Sequence, residues 1–314
     1  MKPLVIGSRS SPLALQQSKT IKQALIRHHP GLGVNIEIIH TSGDALSQTA
    51  MSRTTANVKG LFVKEIEEAL LQGKIDIAVH SLKDLPTELP AGLDLALIPE
   101  REDPRDVLIA SSSKIQNIDD LKEGAKLGTG SLRRQVQLKQ LRSDLVVTPI
   151  QGNIDTRIRK IQEQNLTGII LAAAGLHRLG LEKNISYVFN IDEIVPAVGQ
   201  GALAVEIRSD DDTTRTLVAP LDHARTHTCA LAERQFLSAM GGGCQMPLGA
   251  HAHIADGLAT FVVFVGDPFT QKILRKTSNG HPKELETMAL DSAEFLLSHG
   301  ANKILERVKN HLQE

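Results

Sequence analysis

Residues 75–84 read Ile-Asp-Ile-Ala-Val-His-Ser-Leu-Lys-Asp, an apolar run with a polar and charged end. The run over 75–79 predicts a short buried strand. A helical pattern of apolar residues over 62–70 precedes it, and residues 4–7 and 34–41 predict two earlier strands. Strands that alternate with helices in this way are typical of an α/β domain.

The same alternation restarts after Asp103-Pro104-Arg105-Asp106, a stretch that we expect to cross between domains. Further strands are predicted at 126–128, 145–148 and 168–173, with helices beginning near Ser131 and Asp155. A last strand over 198–207 is expected to return to the first domain. These elements predict two α/β lobes, formed by 1–100 plus 197–217 and by 105–195.

From about residue 223 the pattern changes. A helix is predicted from His223 to about Met240, and three glycines at 241–243 then interrupt the chain. A hairpin turn at 255–257 and a long helical region over 284–312, broken at Gly300, follow. Strands followed by helices predict a third, smaller α+β domain over 223–314.

Composition excludes several classes of protein. The 314 residues carry a net charge of −1, so no global basic field would attract nucleic acid or an anionic membrane. Aromatic residues make up 3%, and the two cysteines form neither a disulfide framework nor a metal motif. No apolar run reaches the length of a signal peptide or a membrane span. We therefore expect a cytoplasmic protein with no metal.

Several arginines follow the ends of predicted strands. The segment Gly128-Thr129-Gly130-Ser131-Leu132-Arg133-Arg134 joins a strand to a helix start, where free N–H groups and guanidinium groups favour anions. Arg9, Arg157 and Arg178 stand in similar positions. Because carboxyl ends of parallel strands meet at one sheet edge, these residues predict a focused cationic cleft for a polyanion. The alternative for any one of them is a solvated surface arginine.

Two further groups could carry chemistry. Asp84 beside Lys83 could perform acid–base work at a strand end, although a turn or capping aspartate explains it as well. Cys244 lies between glycines, which expose a thiol, whereas Cys229 lies in an apolar helical setting that fits a buried, inert cysteine. Two other classes stay open: a non-catalytic two-lobed anion-binding protein, and a dinucleotide-dependent oxidoreductase, for which Gly128-Thr129-Gly130 lacks the full fingerprint.

The motifs taken together resemble those of the porphobilinogen deaminase family, in the family's order and over nearly the whole chain. They are Arg9-Ser10-Ser11-Pro12-Leu13-Ala14-Leu15, Lys59-Gly60-Leu61-Phe62, His80-Ser81-Leu82-Lys83-Asp84, Arg101-Glu102-Asp103-Pro104-Arg105-Asp106, residues 128–134, Gly152-Asn153 with Thr156-Arg157, Ala174-Gly175-Leu176 with Arg178-Leu179-Gly180, Pro196-Ala197-Val198-Gly199-Gln200-Gly201 and Gly243-Cys244-Gln245.

The resemblance implies lobes like those of periplasmic binding proteins, with a third domain that carries the cysteine. It implies a transferase of tetrapyrrole (haem) biosynthesis with a dipyrromethane cofactor attached through Cys244. Four porphobilinogen units join this primer with loss of ammonia, and hydrolysis releases hydroxymethylbilane, which passes to uroporphyrinogen-III synthase. A monomer is also implied.

The resemblance also implies roles for individual residues. Asp84 and Lys83 take the catalytic positions. The cofactor-binding positions are Cys244, Arg133, Arg134, Ser131, Thr129, Lys83 and Ser81. The substrate-binding positions are Arg9, Ser11, Lys59, Phe62, Gln151, Arg157, Arg178 and Gln200. Two departures stand out: the family usually has Arg at position 151, and Ala56-Asn57-Val58 precedes Lys59 where two glycines are usual.

Overall fold

The computed structural model describes residues 2–41, 63–241, 243 and 246–313. The chain forms two compact units, one of residues 1–102 with 202–230 and one of residues 103–201 with 231–314. The strands are β1 (Leu4–Ser8), β2 (Val34–Ile38), β3 (Ile77–Ser81), β4 (Leu93–Leu97), β5 (Asp106–Ala110), β6 (Lys126–Gly128), β7 (Val146–Thr148), β8 (Gly168–Ala172), β9 (Tyr187–Val188), β10 (Leu203–Arg208), β11 (Leu248–Ala255), β12 (Leu258–Gly266) and β13 (Ile273–Gly280).

The helices of the described residues are α1 (Pro12–His28), α2 (Lys64–Leu71), α3 (Leu132–Leu141), α4 (Ile154–Glu163), α5 (Ala173–Leu179), α6 (Asp212–Val218), α7 (Ala224–Ala239), α8 (Leu285–Ser298) and α9 (Ala301–Gln313). Short 3-10 turns occupy Leu82–Asp84, Ile118–Asp120, Glu182–Asn184, Ala219–Leu221 and Pro282–Glu284. Across this part of the chain, every helix falls short of the length and apolar content that a bilayer crossing requires.

The first unit is built on a five-stranded sheet in the order β2-β1-β3-β10-β4. β1, β2 and β3 are parallel, and β10 is antiparallel to β3 and β4. Because successive side chains of a strand face opposite sides, Ile77 and Val79 pack toward α1 while Ala78 packs with the buried face of α2. Both faces of the sheet are therefore covered, as is typical of parallel sheets.

The second unit contains a sheet with the same pattern of directions, in the order β7-β6-β8-β5-β9. β7, β6 and β8 are parallel, and β5 is antiparallel to β8 and β9. The unit also contains the antiparallel sheet β11-β12-β13, against which α8 and α9 pack. Val262 and Phe264 of this smaller sheet meet Val136 of α3 in one buried cluster.

The two five-stranded sheets confirm the predicted α/β class, and the three-stranded sheet with α8 and α9 confirms the predicted smaller α+β part. The hairpin at residues 255–257 and the break at Gly300 are confirmed as well. The strand predicted over 198–207 is wrong in its first half: Gly199 and Gly201 have φ of 70° and 87°, so the chain turns there and β10 begins at Leu203.

Candidate active site

The carboxyl ends of β1 and β3 form one edge of the first unit's sheet, since these two parallel strands are neighbours. Arg9 follows β1 and is half-buried. Ser11 caps α1, its hydroxyl accepting a hydrogen bond from the backbone N–H of Ala14, with Pro12 in the first turn, as the sequence predicts. The edge therefore presents an arginine beside the N-terminus of a helix.

Ser81 ends β3 at the same edge, and the turn Leu82–Asp84 follows it directly. Leu82 is buried and anchors the turn, while Lys83 and Asp84 are half-buried. Gln17 of α1, only 3% exposed, donates from Nε2 to the Ser81 hydroxyl at 2.8 Å. Sequence reasoning missed Gln17, because an amide on an apolar helix face gives no signal until its partner 64 residues away is known.

In the second unit, three parallel strands end at a corresponding edge. Ser131 caps α3 by accepting from the backbone N–H of Arg134. The backbone N–H of Thr129 binds the carbonyl of Thr148, and the Thr129 hydroxyl accepts from Ser131 N–H. Asn153 caps α4 in the same manner. Two helix N-termini thus follow two neighbouring strands, an arrangement that favours anions.

Arg133 and Arg134 do not lie on the surface of this edge. They are 3% and 5% exposed, and both bind the carboxylate of Asp106, which is fully buried at the start of β5. Arg133 Nη1 reaches Asp106 Oδ2 at 2.7 Å, and Arg134 donates to Oδ1 from Nε and Nη2 at 3.0 and 2.7 Å. Gln200 Nε2 donates to the same Oδ1 at 2.8 Å. We call Asp106, Arg133, Arg134 and Gln200 the Asp106 cluster.

The electrostatics of the Asp106 cluster follow from its composition. Burial by itself raises the pKa of Asp106, but the charges and hydrogen bonds of Arg133 and Arg134 outweigh it and hold that pKa well below the ordinary range. A depressed carboxyl pKa means that this stabilisation is complete above the ordinary carboxyl range and is lost as the pH falls through the folded-state pKa. Two guanidinium groups against one carboxylate leave one positive charge in excess.

Asp106→Asn is expected to destabilise the protein strongly. The amide would leave two buried guanidinium groups without a charged partner, and breaking a buried pair in this way costs about 3–5 kcal/mol of unfolding free energy. Asp144→Asn is the matched control, because it breaks an Asp–Arg pair at the surface, with Arg142 Nε 2.8 Å from Asp144 Oδ1, where little is lost. Urea unfolding of both variants measures the difference; equal losses would contradict a central role for Asp106.

The remaining arginines predicted at this edge are partly exposed and held by backbone carbonyls. Arg157 Nε donates to the Gly152 carbonyl at 2.7 Å, and Arg178 Nη2 donates to the Gly201 carbonyl at 2.6 Å. Gln151 is exposed. Its carbonyl accepts from Lys160 Nζ at 3.0 Å, so a cation that the sequence did not single out lies beside the position where the family usually has Arg.

Lys59, Phe62 and Cys244 lie outside the described residues, but the chain that follows Cys244 packs within the second unit. Met246 N–H binds the carbonyl of Gly243 at 3.1 Å. At Gly249, a Cβ atom would collide with the Pro196 carbonyl and lie 3.2 Å from Arg133 Cδ, so only glycine allows this approach. The segment that follows Cys244 therefore packs directly against Arg133.

Glu233 of α7 holds the neighbouring segments together. Its fully buried carboxylate accepts from Gly199 N–H at 2.7 Å and from Ala252 N–H at 2.9 Å. One side chain thus joins the turn that carries Gln200 to the strand that follows Cys244. Sequence reasoning missed Glu233 as well, because the backbone N–H groups that it binds lie 34 and 19 residues away along the chain.

The fold is that of an α/β protein, and in each unit a helix N-terminus and arginines follow the carboxyl ends of parallel strands. A family model described as "Porphobilinogen deaminase, dipyromethane cofactor binding domain" matches residues 4–216, and one described as "Porphobilinogen deaminase, C-terminal domain" matches residues 227–298. The chain is 43% identical over 303 residues to the porphobilinogen deaminase of Syntrophobacter fumaroxidans, covering 96% of this chain and 97% of the relative. It is 45% identical over 302 residues to that of Syntrophotalea carbinolica, covering 96% and 95%.

The chain therefore belongs to the porphobilinogen deaminase family, whose members are transferases with a dipyrromethane cofactor-binding domain. Among solved structures, it is similar to an arginine-specific periplasmic binding protein of Salmonella typhimurium, with 13% identity, a TM-score of 0.41, and coverage of 75% of this chain and 98% of that one. An extracellular-binding protein of a probable amino-acid ABC transporter from Bacillus subtilis gives 12% identity, a TM-score of 0.41, and 70% and 90% coverage. TM-scores at this level are too low to support conclusions about function.

Proposed function

We propose that this chain polymerises four porphobilinogen units, with loss of ammonia from each, on a dipyrromethane primer attached to Cys244. Hydrolysis then releases hydroxymethylbilane, and the primer stays on the protein. The observation that carries the proposal is the excess positive charge of the Asp106 cluster, which lies at the N-terminus of α3 and against the segment that follows Cys244. Each pyrrole bears an acetate and a propionate, so the growing chain is a polyanion that needs such a site.

The donor set of the second unit fits a dipyrromethane. Ser131, Thr129 and the Arg133–Arg134 pair provide hydroxyl, N–H and guanidinium donors, and the ligand's side chains are carboxylates that accept. Lys83 and Ser81 provide further donors in the first unit. When bound, the dipyrromethane supplies the free pyrrole carbon at which the chain of pyrroles grows.

The remaining chemistry belongs to the protein's own residues. In each step, the C–N bond of the substrate's aminomethyl group breaks, ammonia leaves, and the methylene carbon bonds to a pyrrole carbon that gives up its proton. Positive charge develops on the substrate ring as ammonia departs. The Asp84 carboxylate, held by the turn after β3, stabilises that charge near the pyrrole N–H and moves protons. Seven further residues hold the carboxylates and the ring of the substrate. They are Arg9, Ser11, Lys59, Phe62, Arg157, Arg178 and Gln200.

The family resemblance supports the wider features of the proposal. The chain acts in the cytoplasm as a monomer, and its product passes to uroporphyrinogen-III synthase. Its domains are two α/β lobes, of 1–100 with 197–217 and of 105–195, and a C-terminal domain of 223–314.

Turnover with porphobilinogen tests the proposed activity. The expected result is four molecules of ammonia for each linear tetrapyrrole released. Binding of porphobilinogen without ammonia release would instead support a two-lobed binding protein, the main alternative that the sequence left open.

Gln151→Arg is expected to bring little gain in turnover. Because Lys160 Nζ already lies 3.0 Å from the Gln151 carbonyl, a second cation would compete for the same substrate carboxylate. We expect the Km for porphobilinogen to stay the same or to rise, with no clearing of stalled intermediates in mass spectra. The double variant Gln151→Arg with Lys160→Gln is the control: it again has one cation at this position, so its Km for porphobilinogen should equal that of wild type. A large gain from Gln151→Arg alone would contradict compensation by Lys160.

A further inference from the structure

Three ionisable side chains are buried together in the first unit, apart from the residues proposed above. They are Glu67 on α2, His80 on β3 and Glu206 on β10, with exposures of 8%, 6% and 0%. His80 Nε2 lies 3.1 Å from Glu206 Oε2. We call these residues the Glu67–His80–Glu206 cluster. Among the described residues, no group of His, Cys, Asp and Glu side chains is arranged to hold a metal ion, so a metal does not explain them.

The backbone explains why the three side chains meet. Ala78 pairs with Glu206 and His80 pairs with Ala204 in the antiparallel β3–β10 ladder, so His80 and Glu206 lie diagonally on one face of the sheet. α2 packs on that face through Ile66 and Leu70. Glu67 lies next to Ile66 and one turn before Leu70, within the stripe where an apolar residue is usual.

This arrangement costs stability. Glu67 Oε1 and Glu206 Oε1 are buried and make no hydrogen bond. Burying charged or polar groups with incomplete pairing is unfavourable, and apolar residues of similar volume often stabilise a protein more. The cluster is therefore poorly explained as a device for stability alone, whereas buried ionic groups can fix the register of packed elements.

The cluster joins three segments that carry proposed site residues. His80 directly precedes Ser81 and the Asp84 turn, and Leu82 N–H binds the carbonyl of Ala202 just before β10. α2 begins two residues after Phe62. We propose that the Glu67–His80–Glu206 cluster is a positioning group that fixes the Asp84 turn against β10 and α2. This inference rests on the proposed function, because Asp84 is taken as the group that acts on the substrate.

The protonation of Glu67 completes the proposal. Burial, and after it the charge of Glu206, raise the pKa of Glu67, while the charge of His80 opposes them. A proton on Glu67 removes one buried carboxylate charge from the cluster, in which Glu206 Oε2 lies 3.1 Å from His80 Nε2. Neighbouring charges have partners of their own: Arg208 binds Asp211, Asp76 and the Leu70 carbonyl, Lys64 pairs with Glu68 in solvent, and Glu65 makes other contacts.

Glu206→Gln tests the positioning role. The amide keeps the shape but replaces the carboxylate that lies 3.1 Å from His80 Nε2, so we expect kcat to fall about tenfold with KM within about twofold, the pattern of a slightly displaced catalytic group. Rates are taken per molecule that carries the primer, measured by intact mass. An unchanged kcat with an unchanged pH profile would overturn the inference.

Glu67→Gln tests whether Glu67 carries a proton in the folded protein. It is informative even if Glu206→Gln does not fold. Because the pKa of Glu67 is raised, its contribution to stability is complete below the ordinary carboxyl pKa and is lost as the pH rises through the raised value. Wild type should therefore lose thermal stability and kcat together over that pH range, and Glu67→Gln should lose neither. Glu68→Gln, on the exposed face of the same helix, should behave as wild type. A loss over the same pH range in Glu67→Gln, equal to that of wild type, would overturn the inference.

The two proposals fail differently. A wild type that releases tetrapyrrole while both cluster variants match it in kcat, pH profile and melting curve retains the proposed function and rejects the positioning role. A wild type with neither primer nor turnover rejects the proposed function, and the melting curves of Glu67→Gln against pH then still decide whether Glu67 holds the proton.

Discussion

Cys244→Ser is expected to yield a protein with the mass of its sequence alone, without covalent primer and without turnover. The proposed function attaches the primer to Cys244 by a thioether, and a serine hydroxyl is a far weaker nucleophile than a cysteine thiolate at neutral pH. A hydrogen bond from Met246 N–H to the Gly243 carbonyl spans the position of Cys244. The chain that follows packs at Gly249 against Arg133, one of the residues proposed to bind carboxylates.

Cys229→Ser is the matched control. Cys229 is 4% exposed, inside α7 beside Ala230 and Ala232, where a thiol is inert. This variant should keep both the added mass and the turnover, with some loss of stability from a polar group in the core. A normal adduct on Cys244→Ser, or its loss from Cys229→Ser with the fold intact, would contradict the assignment.

Asp84→Asn is expected to lower turnover by at least about 10²-fold, the usual scale for a positioned acid–base group. The amide has nearly the same size, so the turn Leu82–Asp84 and its buried anchor Leu82 should persist, and the melting temperature should change little. What is lost is the negative charge that we propose stabilises the substrate ring and moves protons.

Two variants make this result specific. Asp84→Glu keeps the carboxylate but displaces it, so it should recover part of the lost turnover. Glu88→Gln removes an exposed carboxylate four residues further along the chain and should leave turnover unchanged. Near-normal turnover of Asp84→Asn would leave Asp84 as an ordinary turn residue.

Local signals in the sequence predicted much of the fold. Ser11 and Ser131 marked helix starts correctly, because a capping side chain binds a backbone N–H within the same turn. The helix predicted to begin near Asp155 begins at Ile154. The prediction of a strand over 198–207 was wrong in its first half. Gly199 and Gly201 adopt left-handed conformations there, which the apolar residues around them do not indicate.

The side-chain pairs inside the candidate site could not be predicted from local sequence patterns. Arg133 and Arg134 were expected to line a cleft, but Asp106, 27 residues earlier, pairs with both of them in the core. His80 and Glu206 are 126 residues apart, and Gln17 and Ser81 are 64 apart. Such pairs depend on strand order and register, and no spacing in the sequence encodes these. Strand β5 itself was missed: its first residue, Asp106, was assigned to the crossing between domains, and residues 107–110 were assigned to no element.

The central claim is that pyrroles are joined covalently to this chain at Cys244. Intact mass spectrometry of the purified protein, before and shortly after addition of porphobilinogen, tests it most directly. We predict a starting mass above that of the sequence by one dipyrromethane, and then a ladder of up to four additions, each equal to one porphobilinogen minus one ammonia and each on the peptide that contains Cys244. A protein with the mass of its sequence, unchanged by porphobilinogen, would contradict the claim.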